Sequence, residues 1–168
     1  MTDWLDDCVG HHKAHAEDVE RKQGRLIARE KLIAAKANAL WDQFASSIEH
    51  CVSRYNRNFE DEAEHLSIET FPEAPGCAHR LRVARKRLPM LSFALEYRPT
   101  ARRMEYQFQK NFGGCEPEPY GPRVGLELDL DDAGDLFFRD KDGIVSLPKL
   151  CETLLRPVIN HHAYWRIK

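Results

Sequence analysis

Ser92-Phe93-Ala94-Leu95-Glu96-Tyr97 and, one turn later, Arg103-Met104-Glu105-Tyr106-Gln107-Phe108 decide the fold. In both runs every second residue is large and apolar. As strands they gather Phe93, Leu95 and Tyr97, or Met104, Tyr106 and Phe108, on one face and leave polar residues on the other. Arg98-Pro99-Thr100-Ala101 between them has turn chemistry. The same period of two recurs at Leu66-Ser67-Ile68-Glu69-Thr70-Phe71, at Leu81 and Val83, and at Leu126, Leu128 and Leu130. Leu136-Phe137-Phe138 follows the turn Asp131-Asp132-Ala133-Gly134, and Asp140-Lys141-Asp142-Gly143 turns into Ile144-Val145. One apolar face per strand predicts an antiparallel meander over 66–145, of about five to six strands, covered on one side only.

The cover lies upstream. Residues 14–59 contain no proline and one glycine, Gly24, and are rich in good helix formers. Val19, Leu26, Ile33, Leu40, Phe44, Ile48, Cys51, Tyr55 and Phe59 step by seven and then by three and four, tracing one stripe along a helix. Trp41 and Val52 widen the stripe in its second half, as a helix covering a sheet requires. The first half is a narrow seam bordered by Glu17, Glu20, Arg21, Arg25, Arg29 and Glu30, the pattern of a helix that projects from the body or pairs with another helix. At 1.5 Å per residue such a helix spans roughly 65 Å. It therefore either breaks near Gly24 or has a partner for its N-terminal half. Ser146 as N-cap and Pro148 in the first turn open a closing helix over 146–160, with Leu150, Cys151, Leu154, Leu155 and Val158 on one face. The class is α+β in a single domain over 1–168: a long N-terminal helix on one face of an antiparallel sheet, and a short C-terminal helix.

The chain has 168 residues and a formal net charge of −2, which excludes a histone-like polyanion binder. No apolar run reaches the length of a membrane span, and the first residues are acidic where a secretory leader would be basic and then apolar. Five cysteines without a Cys-x-x-Cys pair fit a reducing compartment, so a cytoplasmic protein is expected, with Cys51 and Cys151 in the core. Phosphate-loop, dinucleotide-binding, nucleophile-elbow and zinc-protease signatures are missing. Leu40-Trp41-Asp42-Gln43-Phe44 through Tyr55-Asn56-Arg57 resembles the long helix of small bacterial proteins without a known activity, and that resemblance implies no site.

Five features carry chemistry that can be weighed. Cys8, His11, His12 and His15 share a helical face and are a zinc-competent set, but four ligands within eight residues are hard to arrange tetrahedrally, and a solvated face is expected instead. Asp129-Leu130-Asp131-Asp132-Ala133-Gly134 echoes a calcium loop, yet Ala133 stands at a ligand position and a hairpin turn is the expected reading. Charge is segregated. From Arg80 to Lys110 nine basic residues face only Glu96 and Glu105, a net +7, whereas from Glu116 to Asp142 nine acidic residues face three basic ones, a net −6. Pairing across the ladder is favoured over a nucleic-acid site. Residues 111–123 read as a long proline-rich loop with Cys115 and Tyr120. His161, His162, Tyr164 and Trp165 read as structural.

The function expected is a non-enzymatic binding or assembly module that forms a homodimer or holds a protein partner through the helix. Leu26, Ile33 and Leu40, with Leu32 beside them, are the seam. The open sheet face with Arg80, Arg82, Glu96, Arg103, Glu105 and Glu127 is a second surface. Nucleic-acid binding by the basic strand 80–87 with Arg102 and Arg103 is the alternative, and a small enzyme or metal protein using the Cys8/His11/His12/His15 cluster is the second alternative. No cofactor, metal or membrane contact is expected.

Overall fold

The computed structural model describes residues 3–71, 78–87, 90–113 and 116–160, with the side chains of 3, 5 and 6 excepted. One helix, α1 (Asp3–Asn56), runs 54 residues without interruption, so there is no break at Gly24. It starts earlier than the stretch 14–59 and stops three residues short of it. A short 3-10 turn (Glu62–Glu64) leads into seven strands: β1 (Leu66–Phe71), β2 (His79–Arg85), β3 (Met90–Arg98), β4 (Arg103–Asn111), β5 (Glu118–Leu130), β6 (Leu136–Asp140) and β7 (Gly143–Val145). They pair in sequence order and all antiparallel, a plain meander. The seventh strand is the three-residue β7, whose length gave too little alternation to read as a strand. Helix α2 (Leu147–Ile159) closes the chain, capped by the Ser146 side chain and with Pro148 in its first turn.

Residues 111–123 are not one long loop. Glu118–Arg123 extends β5, and the register against β4 shifts between Tyr106 and Phe108 to absorb Gly121 and Pro122. Gly121 takes a positive φ of 77° there, which a Cβ would resist. Lys110 lies over the Tyr120 ring at 4.0 Å from its centre, holding the extension in place. Cys77, Leu88, Pro89, Cys115 and the segment 161–168 lie outside the described residues.

The core sits between one sheet face and the C-terminal half of α1 together with α2. Ile33, Ala37, Phe44, Ile48, Leu81, Phe93, Tyr97, Met104, Phe138 and Leu154 are all sealed from solvent, as the alternation demands. At its centre the Trp41 and Tyr97 rings stack, 5.3 Å apart and 6° from parallel, and Phe138 meets Tyr97 edge-on. The Tyr97 hydroxyl donates to the Ala37 carbonyl at 2.9 Å, which ties the helix to the third strand. Burial pushes the Tyr97 phenol well above its ordinary range, so it remains a donor at every accessible pH. Asn56 fixes the far end: its amide donates to Leu66 O at 3.0 Å and accepts from Leu66 N at 2.8 Å, joining the last helical residue to the first strand. Tyr97→Phe is expected to cost about 1 kcal/mol, the net worth of one hydrogen bond whose carbonyl keeps a helical donor. Urea unfolding with an unchanged slope checks it.

Candidate helix-docking surface

From Trp4 to Leu32 every described side chain is exposed except Asp18, which is half-buried. The first buried residue of the helix is Ile33. The helix meets the body at the β5–β6 turn. Arg29 donates to the Asp129 carboxylate and to Leu130 O at 3.1 Å, and Lys36 donates to Gly134 O and pairs with Asp135 at 3.5 Å. Residues 3–28 therefore form an arm of roughly 39 Å beyond this root. The accessible surface of 11627 Å² exceeds the roughly 8500 Å² of a compact chain of this mass, as a rod standing off a body requires.

The stripe that seals the core does not stop at the root. Phe44, Leu40, Ala37 and Ile33 continue outward through Leu26, Val19, Ala16 and Val9 on the same face, at alternating steps of three and four broken by Glu30, Gln23 and His12. Leu26 is 62% exposed, Ile27 beside it 54% and Leu32 41%. Leu26, Leu32, Leu130 and Ala133 line a notch of about 720 Å³ where the arm leaves the sheet. Of the three expected seam residues, only Leu26 faces solvent. Ile33 and Leu40 are buried within this chain, where Arg29 and Lys36 seat the helix on the β5–β6 turn, and neither is available to a partner.

Arg80, Arg82 and Arg103 do share the open sheet face, but each has a carboxylate across or along the ladder. Arg80 and Arg98 meet Glu96 at 3.8 and 2.8 Å, Arg82 meets Glu69 at 3.5 Å, and Arg103 and Arg123 meet Glu105 at 2.8 and 3.2 Å. Arg139 bridges Glu127 and Asp129. At the end of the basic run, Arg85 and Arg87 both pair with Glu64, and Lys86 reaches Glu62 at 3.7 Å. The basic run is thus paired by Glu96 and Glu105 within it and by Glu62, Glu64 and Glu69 before it, with Glu64, Glu96 and Glu105 each shared by two guanidiniums. Arg102, at the β3–β4 turn with a φ of 51°, lies 4.0 Å from Glu30.

The remaining candidates disperse. Cys8, His11, His12 and His15 are exposed along the arm, and among the described residues no three His, Cys, Asp or Glu side chains converge as a metal site. The calcium-like stretch is a hairpin turn in which Asp131 accepts from the Asp135 amide and Gly134 takes a φ of 81°. Cys151 is buried, but Cys51 is exposed, turned toward the hollow between α1 and α2 and away from the core. Burial pushes the Cys151 thiol up to about 11, aided by Cys51 nearby. No described helix is long and apolar enough to cross a membrane. No family model, no curated protein and no solved structure matches the chain.

The root holds a carboxylate that is stabilised in its ionised form. Burial opposes ionisation of Asp129, but the Arg29 hydrogen bond, the Leu130 amide and the charges of Arg29 and Arg139 outweigh it and hold the carboxyl below its usual value. A depressed carboxyl stabilises the fold above its unfolded value, and that contribution is lost as pH falls through the folded one. Asp129→Asn should lower stability near neutral pH and shrink the loss on acidification, read as urea midpoints from pH 7 to 2. Equal acid sensitivity in both proteins would contradict the assignment.

Proposed function

We propose that the protein is a non-enzymatic binding or assembly module of the cytoplasm, whose working element is the arm 3–28 docking lengthwise against another helix. The observation that carries this reading is the continuity of the apolar stripe from the buried core into solvent, with Leu26 as its most exposed large member. A solitary polar helix is marginal in water, and Gly10 and Gly24 each weaken this one by about 1 kcal/mol relative to alanine. Among the described residues nothing lies within 4 Å of a Cβ at either position to account for those glycines. Burial of the stripe against a partner helix supplies what the arm alone lacks. The exposed Cys8 and Cys51 thiols suit a reducing compartment. Nucleic-acid binding through 80–87, Arg102 and Arg103 would have to compete with the carboxylates already paired with those cations.

A photo-reactive phenylalanine analogue at Leu26 or Val19 should give one adduct of defined mass with a second polypeptide in the producing cell. The same group at Ala14, on the outer side of the arm, should give at least tenfold less. Equal yields at the three positions, or none, would contradict a docking face.

A further inference from the structure

We propose that the arm's occupant is a second copy of this chain lying antiparallel to the first, a conclusion that rests on the docking reading above. Charge is segregated along the arm. Residues 3–14 carry Asp3, Asp6 and Asp7 against Lys13, a net −2 with histidines neutral. Residues 21–32 carry Arg21, Lys22, Arg25, Arg29 and Lys31 against Glu30, a net +4, of which Arg29 is held by Asp129 of its own chain. Two parallel arms would set like against like at both ends. Two antiparallel arms set the acidic end of each on the basic end of the other, and a two-fold axis makes the match twice.

The seam selects a register as well as a direction. The alternating steps of three and four place Val9, Ala16, Gln23 and Glu30 on one edge of the stripe, and His12, Val19 and Leu26 on the other. An antiparallel pair opposes one edge with the other. The register centred between Ala16 and Val19 puts Val9 on the partner's Leu26, Ala16 on the partner's Val19 and Gln23 on the partner's His12. Val9, Ala16, Val19 and Leu26 meet apolar residues, His12 and Gln23 share a layer that the two-fold axis repeats, and Glu30 falls opposite the partner's Leu5. Parallel pairing would oppose Glu30 with the partner's Glu30. Beside the seam Lys13 then meets the partner's Glu20. Lys22 falls next to the partner's His15, but it is already held by Asp18 at 2.7 Å. The overlap covers residues 3–32, a little over four heptads, with five of its eight seam positions apolar. It also brings the first turns of each arm over the other copy's notch, where Leu26 and Leu32 are exposed. The two sheets end up at opposite ends of the pair, clear of one another.

Disulfide trapping tests direction and partner together. In a chain with Cys8, Cys51, Cys77 and Cys115 changed to serine, Val9→Cys alone, Leu26→Cys alone and the double variant are oxidised in air with a copper catalyst. The expected result is a covalent dimer from the double variant, at least tenfold above either single, with position 9 joined to the partner's 26 in the peptide map. Single variants that cross-link as well as the double would establish a parallel pair and overturn the antiparallel arrangement. A monomeric native mass for the unmodified chain at tens of micromolar, together with a Leu26 photo-adduct to a different polypeptide, would overturn self-pairing while leaving the docking arm intact.

Discussion

The helix is far longer than the sheet can cover. Seven strands about 4.8 Å apart make a sheet roughly 29 Å wide, and α1 is roughly 81 Å long. An apolar stripe along a helix gains stability only where something buries it. Within this chain the sheet buries it from Ile33 to Val52 and leaves it bare from Leu32 outward. The assembly reading follows from that mismatch. The sheet, by contrast, is satisfied: one face is covered by α1 and α2, and the other is laced with Arg–Glu pairs across the ladder.

What aims the arm is a small set of contacts. The Trp41–Tyr97 stack and the Tyr97 bond to Ala37 O locate the helix over the middle of the sheet. Asn56 fixes its end to β1, and Arg29 with Lys36 fixes its root to the β5–β6 turn. A rod held at three points has one direction, and its free segment is presented in a defined orientation instead of trailing from the body. The root contact bridges about a hundred residues of sequence, so the arm's orientation depends on completion of the meander.

Much of this was legible in the residues. Period two in β1 to β6 and the stripe of α1 gave the class, and the alternation named the buried faces correctly because the sheet has one dry side. The opposed blocks of charge pointed to pairing across the ladder, but the pairs form within each block and with β1: Arg80 meets Glu96, Arg103 meets Glu105, Arg139 meets Glu127 and Arg82 meets Glu69. Other features were hidden. Leu26, Ile33 and Leu40 follow one another at steps of seven, and periodicity tells which face they share but not what covers each. Only the root, a contact distant in sequence, puts the boundary between Leu32 and Ile33. Gly121-Pro122 reads as loop because a register shift in a strand has the same composition as a turn. Cys51 lies next to Val52 on the stripe's margin, where one residue of rotation separates the core from the α1–α2 hollow.

Hydrogen exchange along α1 tests the central claim most directly. At micromolar concentration the amides of residues 9–28 should be protected well beyond the level of an isolated helix, toward that of residues 37–52, and should lose this protection on dilution. Exchange of residues 9–28 at isolated-helix rates, unchanged by concentration, with residues 37–52 still protected, would mean that the arm stands free and that no second copy covers it.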